Sequence, residues 1–141
     1  MHIISSNKNN CLINKLFNNK IISNINIINS KMSVNTKSAK IVVLGDMSVG
    51  KTSILTRYIK NSFDAFNEST IGAAFFTKTV TSERNEDVNF EIWDTAGQER
   101  YDSLLPMYYR NANVILVVFD LNNINSFNNL RTRWLEIINE R

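Results

Sequence analysis

The stretch that decides the fold is residues 41–52, which read IVVLGDMSVGKT. Four apolar residues run into a G-x-x-x-x-G-K-T loop, and the apolar positions of residues 53–59 recur at helical spacing. A strand, this loop and a helix in succession form the context in which such a loop binds phosphate. The order predicts a nucleotide site at the carboxyl edge of a parallel sheet.

The residue types in the loop suit this chemistry. Gly45 and Gly50 let the backbone turn tightly, so that successive N–H groups point inward and bind an anion. The helix that follows adds its free N–H groups and the positive end of its dipole. Lys51 is predicted to reach the β- and γ-phosphates, and the Thr52 hydroxyl is predicted to ligate Mg²⁺.

A second motif, WDTAGQE, occupies residues 93–99 after a predicted strand. Asp94, at the strand end, is expected to position Mg²⁺, although a helix N-cap is the alternative. Gly97 allows its N–H group to approach the γ-phosphate, because no Cβ stands in the way. Gln98 can accept from an attacking water and donate to a phosphoryl oxygen, so it is the predicted catalytic residue.

Thr70 ends a polar stretch, residues 61–70, that reads as a loop. Its hydroxyl completes the Mg²⁺ shell only if this loop folds over the γ-phosphate; the alternative is a threonine that forms a turn. Beside the two other motifs, it is predicted to act as a nucleotide-sensing switch.

Composition limits the class of protein. The 141 residues suffice for one domain with a core, and the net charge is +3. Residues 39–141 carry eleven bases and thirteen acids, a net −2, which argues against nucleic acid as a partner. Cys11 is the single cysteine, so no disulfide forms within the chain, which is consistent with the cytoplasm. No apolar run approaches the ~18 residues that span a bilayer.

Residues 1–38 are rich in Asn, Ile and Lys and contain no acid, and they are predicted to be a disordered extension. A mitochondrial address is disfavoured because no arginine precedes Arg57. An alternative is upstream sequence fused to a domain that begins at Met32. Residues 39–141 are predicted to be the folded domain.

The hydrophobic pattern predicts an α/β fold with a mostly parallel sheet and one antiparallel edge hairpin. Phe127 and Trp134 are predicted to be core residues, and Ser126 is predicted to cap the last helix. The predicted strands are Ala39–Leu44, Ala73–Thr81, Val88–Trp93 and Val114–Phe119, and the first helix is Lys51–Lys60.

Residues 45–52, 70–72, 93–99 and 108–110 resemble the Rab family of small GTPases, in the Ras superfamily, and residues 68–76 are similar to its early-endosomal subfamily. The resemblance covers roughly residues 38–141. It implies a P-loop NTPase fold of the small G-protein type, with six strands ringed by helices. It also implies GTP hydrolysis, GTP and GDP states that differ at two switches, and a role in vesicle traffic.

The resemblance implies three groups of site residues. Phe63 is expected to pack on the guanine base, and the metal ligands are Thr52, Thr70 and Asp94. The nucleotide-binding set is Gly45, Asp46, Met47, Ser48, Val49, Gly50, Lys51, Thr52, Ser53, Phe63, Thr70, Asp94 and Gly97. Effectors are expected to bind Ile71, Phe75, Trp93 and Tyr108, although ordinary packing is the alternative for Phe75 and Tyr108.

The implied cofactors are GTP, GDP and Mg²⁺. The implied partners are effectors, an exchange factor and a GTPase-activating protein, without nucleic acid. The protein is expected in the cytoplasm, with the early-endosomal membrane as the location of the full-length family.

The chain departs from the family pattern in three respects. It ends at Arg141, before the N-K-x-D and S-A-K motifs and the closing helix that relatives carry. Carboxyl-terminal cysteines that take prenyl groups are not present in these 141 residues, so membrane association is not expected to be encoded in them. Met47 and Ser48 stand beside the γ-phosphate, where relatives use small residues, and Met47 is expected to crowd either Gln98 or an incoming arginine finger.

The truncation is expected to leave the edge of the strand at 114–119 unpaired, to favour aggregation and to remove the preference for GTP over ATP. Two functions therefore stay open: a Rab-type GTPase switch, or a catalytically incompetent remnant that at most binds proteins. An ATP-using P-loop enzyme is a weaker third, because D-T-A-G-Q and its short distance from the loop are typical of GTPases.

Overall fold

The computed structural model describes residues 2–6, 38–81, 85 and 87–139. In chain order the strands are β1 (His2–Ser6), β2 (Ser38–Leu44), β3 (Ala73–Thr81), β4 (Asp87–Thr95) and β5 (Val114–Asp120). Helix α1 is Lys51–Lys60, a 3-10 helix covers Glu99–Leu104 and α2 is Leu105–Tyr109. The last helical stretch consists of α3 (Ile124–Asn129), a π-helical turn (Leu130–Trp134) and α4 (Leu135–Asn139).

The strands of the described residues form one sheet in the order β1-β5-β2-β4-β3. Neighbours run parallel except β3 and β4, which form an antiparallel edge pair. Central β2 lies between β5 and β4, with Ile41 opposite Val114 on one side and Ile92 on the other. The predicted α/β class, with its mostly parallel sheet and one antiparallel hairpin, is confirmed.

The two faces of the sheet carry separate cores, because successive side chains of a strand point to opposite faces. Ile41 and Val43 of β2 pack with Leu55 of α1 on one face. Val42 and Leu44 pack on the other face, in the cluster that contains Trp134. Residues 41–44 are all buried, so the phosphate loop follows directly on a strand segment that is packed on both faces.

Predicted element bounds hold best where hydrophobic spacing is regular. The bounds of α1 and β3 are confirmed. Strands β2 and β5 each extend one residue further than predicted, whereas β4 begins one residue earlier and ends two residues later. The stretch after residue 98, for which no element bounds were predicted, forms the 3-10 helix and α2.

The predicted cap of the last helix is wrong. The helix begins at Ile124, and the Asn123 side chain caps it by accepting from the Asn125 N–H group at 3.1 Å. Asparagine caps as well as serine does. Ser126 lies within the first turn, where its hydroxyl accepts from the Asp120 N–H group at 3.0 Å.

Only one of the two predicted core aromatics is fully buried. Trp134 is 1% exposed, which confirms the prediction, whereas Phe127 is 44% exposed and packs edge-on against Phe119 with ring centroids 5.2 Å apart. Helical spacing places Phe127 on the apolar face of the helix. It does not show whether the sheet extends far enough to cover that face at Phe127.

The edge of β5 is paired, in contrast to the prediction. Strand β1 lies parallel to β5, with His2 opposite Leu116 and Ser6 opposite Asp120. An open edge presents unpaired N–H and C=O groups that accept another strand, and Ile3 and Ile4 have high strand propensity. Residues 2–6 are therefore not disordered, and one reason to expect aggregation is removed. The rest of the predicted extension up to residue 37 lies outside the described residues.

Among the residues that the structure describes, no helix has both the length and the apolar character needed to cross a membrane.

Candidate functional site

The phosphate loop runs from the end of β2 into α1 and is packed tightly against the sheet. Gly45 has a φ of 144°, and a Cβ on it would overlap the Val118 carbonyl oxygen of β5. Ser48 and Gly50 also have positive φ, at 63° and 91°. The loop therefore lies across the carboxyl ends of β2 and β5, as its motif predicts.

Lys51 is the first residue of α1 and lies inside this loop. Its side chain is buried, and Nζ donates to the carbonyl oxygens of Gly45 at 2.8 Å and Asp46 at 2.6 Å. Burial lowers the pKa of Lys51 to about 8, although the charges of Asp94 and Asp46 partly oppose this. The loop thus encloses a cation that has no carboxylate in direct contact among the residues that the structure describes, which suits a phosphate ligand.

Three oxygen-bearing side chains meet beside Lys51. The Thr52 hydroxyl donates to Asp94 Oδ2 at 2.6 Å, and the hydroxyl oxygens of Thr52 and Thr70 are 2.9 Å apart. They come from α1, from the end of β4 and from the polar loop, so the fold brings together all the predicted metal ligands. Asp94 belongs to β4, so the helix-cap alternative does not apply.

The donor set fits Mg²⁺, because this ion prefers hard oxygen ligands. Asp94 is fully buried, and its Oδ1 atom has no hydrogen-bond partner among the described residues. Burial raises the pKa of Asp94, while the hydrogen bond from Thr52 and the charge of Lys51 lower it. A buried carboxylate oxygen without a partner is costly unless a cation occupies the site.

Gly97 and Gln98 follow β4 and reach back to the phosphate loop. A Cβ on Gly97 would overlap the backbone of Asp46 and Met47, so only glycine permits this close approach. Gln98 Nε2 donates to Met47 Sδ at 3.0 Å. The expected contact between Met47 and Gln98 is therefore present, as a hydrogen bond to a weak acceptor.

A cavity of about 270 Å³ opens over these groups. Phe63 stands in its wall with 59% of its surface exposed, accessible to a base. Gly45, Asp46, Val49 and Asp94 do not line the cavity and instead form its support. The lining contains Met47, Ser48, Gly50, Lys51, Thr52, Ser53, Phe63, Asp64, Ala65, Asn67, Glu68, Ser69, Thr70, Thr95, Gly97 and Gln98.

Sequence reasoning missed several of these residues. Asp64, Ala65, Asn67, Glu68 and Ser69 were not predicted as site residues, and they line the cavity because the polar loop that ends in Thr70 passes over it. Thr95 follows Asp94 directly, and its hydroxyl donates to the Val43 carbonyl oxygen at 2.7 Å, which ties the end of β4 to β2.

The Asp46 side chain points away from the nucleotide cavity. Oδ1 accepts from Trp134 Nε1 at 2.7 Å, and Oδ2 accepts from Asn129 Nδ2 at 2.8 Å. The predicted nucleotide contact of Asp46 can therefore involve its backbone alone. Both partners lie more than eighty residues after Asp46 in the sequence, so no local motif indicated them.

The predicted effector residues form a surface next to Thr70. The ring centroids of Phe75 and Trp93 are 5.0 Å apart, and those of Trp93 and Tyr108 are 5.6 Å apart. Phe75 is 51% exposed and Ile71 is 81% exposed. Ordinary packing thus does not account for Phe75, which leaves half of its surface accessible to a partner.

A family model described as the Ras family matches residues 40–141. GTP-binding protein ypt5 of Schizosaccharomyces pombe is 51% identical over 104 residues, which are 74% of this chain and 49% of the relative. Ras-related protein Rab5A of Oryza sativa subsp. japonica is 52% identical over 100 residues, 71% of this chain and 48% of the relative.

GTP-binding protein YPT52 of Saccharomyces cerevisiae is 52% identical over 104 residues, 69% of this chain and 44% of the relative. The chain therefore spans about half the length of these relatives. The comparisons confirm the resemblance to the Rab family.

Proposed function

The chain belongs to the Ras family, and we propose that it carries the phosphate-binding and catalytic part of a Rab-type switch that binds GTP and GDP with Mg²⁺ and hydrolyses GTP. The observation that carries this proposal is the meeting of Thr52, Thr70 and Asp94 beside Lys51. The names of the relatives support it, since two of them are GTP-binding proteins and a third is a Rab5A.

In this proposal Lys51 holds the phosphates. Its ammonium group sits on the loop carbonyls of Gly45 and Asp46, in reach of the cavity that it lines. A polyanion in the cavity favours the charged lysine and opposes the effect of burial. Thr52, Thr70 and Asp94 would hold Mg²⁺, which neutralises phosphate charge when bound.

The polar loop is proposed to be the first switch. Thr70 meets Thr52 through a single hydroxyl contact, and residues 61–69 are otherwise exposed. A loop that is fastened mainly at one metal ligand changes position when the nucleotide changes. Ile71 and the aromatic surface follow directly after Thr70, so a partner that binds them senses the same change.

Gln98 is proposed to orient the attacking water. Its carbonyl accepts from water and its amide donates to a phosphoryl oxygen, once Nε2 leaves Met47 Sδ. Gly97 supports this role because its close approach to the loop holds residue 98 at the cavity.

We propose endosomal membrane traffic as the process, by analogy with Rab-type relatives. Effectors, an exchange factor and a GTPase-activating protein are the expected partners. The proposed location is the cytoplasm. For a full-length family member it also includes the early-endosomal membrane.

Thr52→Asn tests the proposal in the 141-residue chain. Loss of the hydroxyl should weaken GTP binding in Mg²⁺ by about tenfold or more relative to GDP, since the metal contributes more to the triphosphate. Thr56→Asn, the same change one turn further along α1 and outside the cavity, is the matched control and should leave the ratio unchanged.

Both affinities are measured by isothermal titration with and without a chelator. An unchanged ratio in Thr52→Asn would refute the assignment of this ligand. No binding of either nucleotide by the natural sequence would favour the alternative, a remnant without catalytic competence.

A further inference from the structure

Arg133 bridges two parts of the candidate site that are distant in sequence. Its Nη2 atom donates to Asp102 Oδ1 at 2.6 Å, and its Nη1 atom lies 3.5 Å from Asp46 Oδ1 and 3.5 Å from the Gly97 carbonyl oxygen. Asp46 belongs to the phosphate loop, and Asp102 belongs to the 3-10 helix that follows Gln98. One guanidinium group therefore connects the phosphate loop to the segment that carries the catalytic amide.

Arg133 lies in the π-helical turn, next to two further side chains that contact Asp46. Asn129 and Trp134 are five residues apart, and the wider turn of Leu130–Trp134 lets both side chains reach the same carboxylate of Asp46. Arg133 stands between them with its guanidinium 4.3 Å from the Trp134 ring. Single π-turns within helices are uncommon and occur frequently at functional sites.

The geometry favours a positioning role over a simple surface ion pair. The Arg133 side chain is 24% exposed and that of Asp46 is 17% exposed, so solvent screens this contact only in part. The planar guanidinium presents donors in fixed directions, which a lysine ammonium cannot reproduce. Asp102 is the more exposed partner, at 37%, and Arg133 joins its segment to Asp46 of the phosphate loop.

We propose that Arg133 is a positioning residue for GTP hydrolysis: it holds the 3-10 helix Glu99–Leu104 against the phosphate loop and thereby fixes Gln98 over the cavity. This inference rests on the proposed function. It names a residue outside the nucleotide cavity whose loss changes the rate of hydrolysis rather than the affinity for nucleotide.

The test compares Arg133→Ala, Asp102→Asn and the double variant with Arg131→Ala, an exposed arginine of the same turn. Single-turnover GTP hydrolysis should fall about three- to tenfold in Arg133→Ala and in Asp102→Asn, and no further in the double variant. The affinity for GTP should stay within about twofold, because the cavity lining is unchanged. Arg131→Ala should hydrolyse at the natural rate.

Amide hydrogen exchange of residues 99–104 in the nucleotide-free chain provides a second readout. Exchange should accelerate in Arg133→Ala and not in Arg131→Ala. The proposal is overturned if exchange is unchanged, if the two single effects add in the double variant, or if hydrolysis and affinity fall together. A natural chain that binds no nucleotide would refute the proposed function, whereas the exchange measurement would still decide whether Arg133 holds this segment.

Discussion

Gln98 and Met47 face each other across the mouth of the cavity, with Nε2 3.0 Å from Sδ. A thioether accepts hydrogen bonds weakly, yet an amide that donates to it is not available to a phosphoryl oxygen. Met47 is 51% exposed, so replacing it leaves little void. Hydrolysis by this chain is therefore expected to be slower than its other residues allow.

Replacing Met47 tests this restraint. Met47→Leu keeps most of the bulk and removes the sulfur, whereas Met47→Ala removes both. If the hydrogen bond restrains Gln98, each variant should raise single-turnover phosphate release by about two- to fivefold, the equivalent of a weak hydrogen bond. Adding Gln98→Leu should abolish the gain in both. A gain in the alanine variant alone would identify bulk as the restraint, and no gain in either would contradict any restraint by Met47.

The Asp94 carboxylate is expected to lower the stability of the metal-free chain and to strengthen metal binding. Burial raises its pKa, which means that the charged carboxylate is disfavoured in the folded chain. Asp94→Asn keeps the shape without the charge. In a chelator it should melt at the same or a higher temperature than the natural chain, and it should lose the increase that Mg²⁺ and GDP produce.

The control for Asp94→Asn is Glu91→Gln, a partly exposed position on the same strand. It should change neither the melting temperature in chelator nor the increase with Mg²⁺ and GDP. A large drop in the melting temperature of Asp94→Asn in chelator would mean that the carboxylate stabilises the metal-free fold and would contradict this account.

At the scale of the elements, the conformation of the phosphate loop depends on its contact with β5 as well as on β2, the strand that it follows. Gly45 combines a positive φ with a position where a Cβ would overlap the Val118 carbonyl oxygen, whereas Gly72 has a φ of 67° and a Cβ there would make only an ordinary contact with the Tyr108 hydroxyl at 3.7 Å. Gly72→Ala should therefore cost about 1–2 kcal/mol for backbone strain alone. Gly45→Ala should cost roughly 3 kcal/mol or more, because strain and overlap act together.

Urea unfolding at equilibrium measures both variants. Equal costs for Gly45→Ala and Gly72→Ala would show that the close approach to β5 does not matter for stability.

Sequence reasoning succeeded for elements whose signals are local. The spacing of apolar residues predicted α1 and β3 to the residue, and the loop motif predicted where Lys51 and Thr52 would lie. It failed where distant residues decide the outcome. The partners of the Asp46 side chain and of the β5 edge lie far along the chain, and neither hydrophobic period nor turn chemistry carries that information.

For the whole molecule, the amino-terminal strand is the largest departure from the sequence prediction. β1 pairs with β5 over residues 2–6 and covers an edge beside the buried residues 114–118. Removing residues 1–6 should lower the free energy of unfolding by about 1–3 kcal/mol, because ladder hydrogen bonds are lost while less chain must be ordered.

A variant that replaces residues 2–6 with Gly and Ser keeps the length and should lose a similar amount, since these residues favour a strand poorly. Urea midpoints give both values. If neither variant differs from the natural chain, residues 1–38 are a passive extension, as their composition alone predicted.

The central claim is that residues 45–98 build a site for the phosphates of a nucleotide, with Lys51 at its centre. Isothermal titration of GDP in Mg²⁺ into the natural chain, Lys51→Ala and Lys60→Ala tests it most directly, because both lysines belong to α1 and only Lys51 lines the cavity. The account predicts that Lys51→Ala loses affinity by about a hundredfold or more while Lys60→Ala binds as the natural chain does. Equal affinities in all three, with melting curves that show each chain folded, would contradict it.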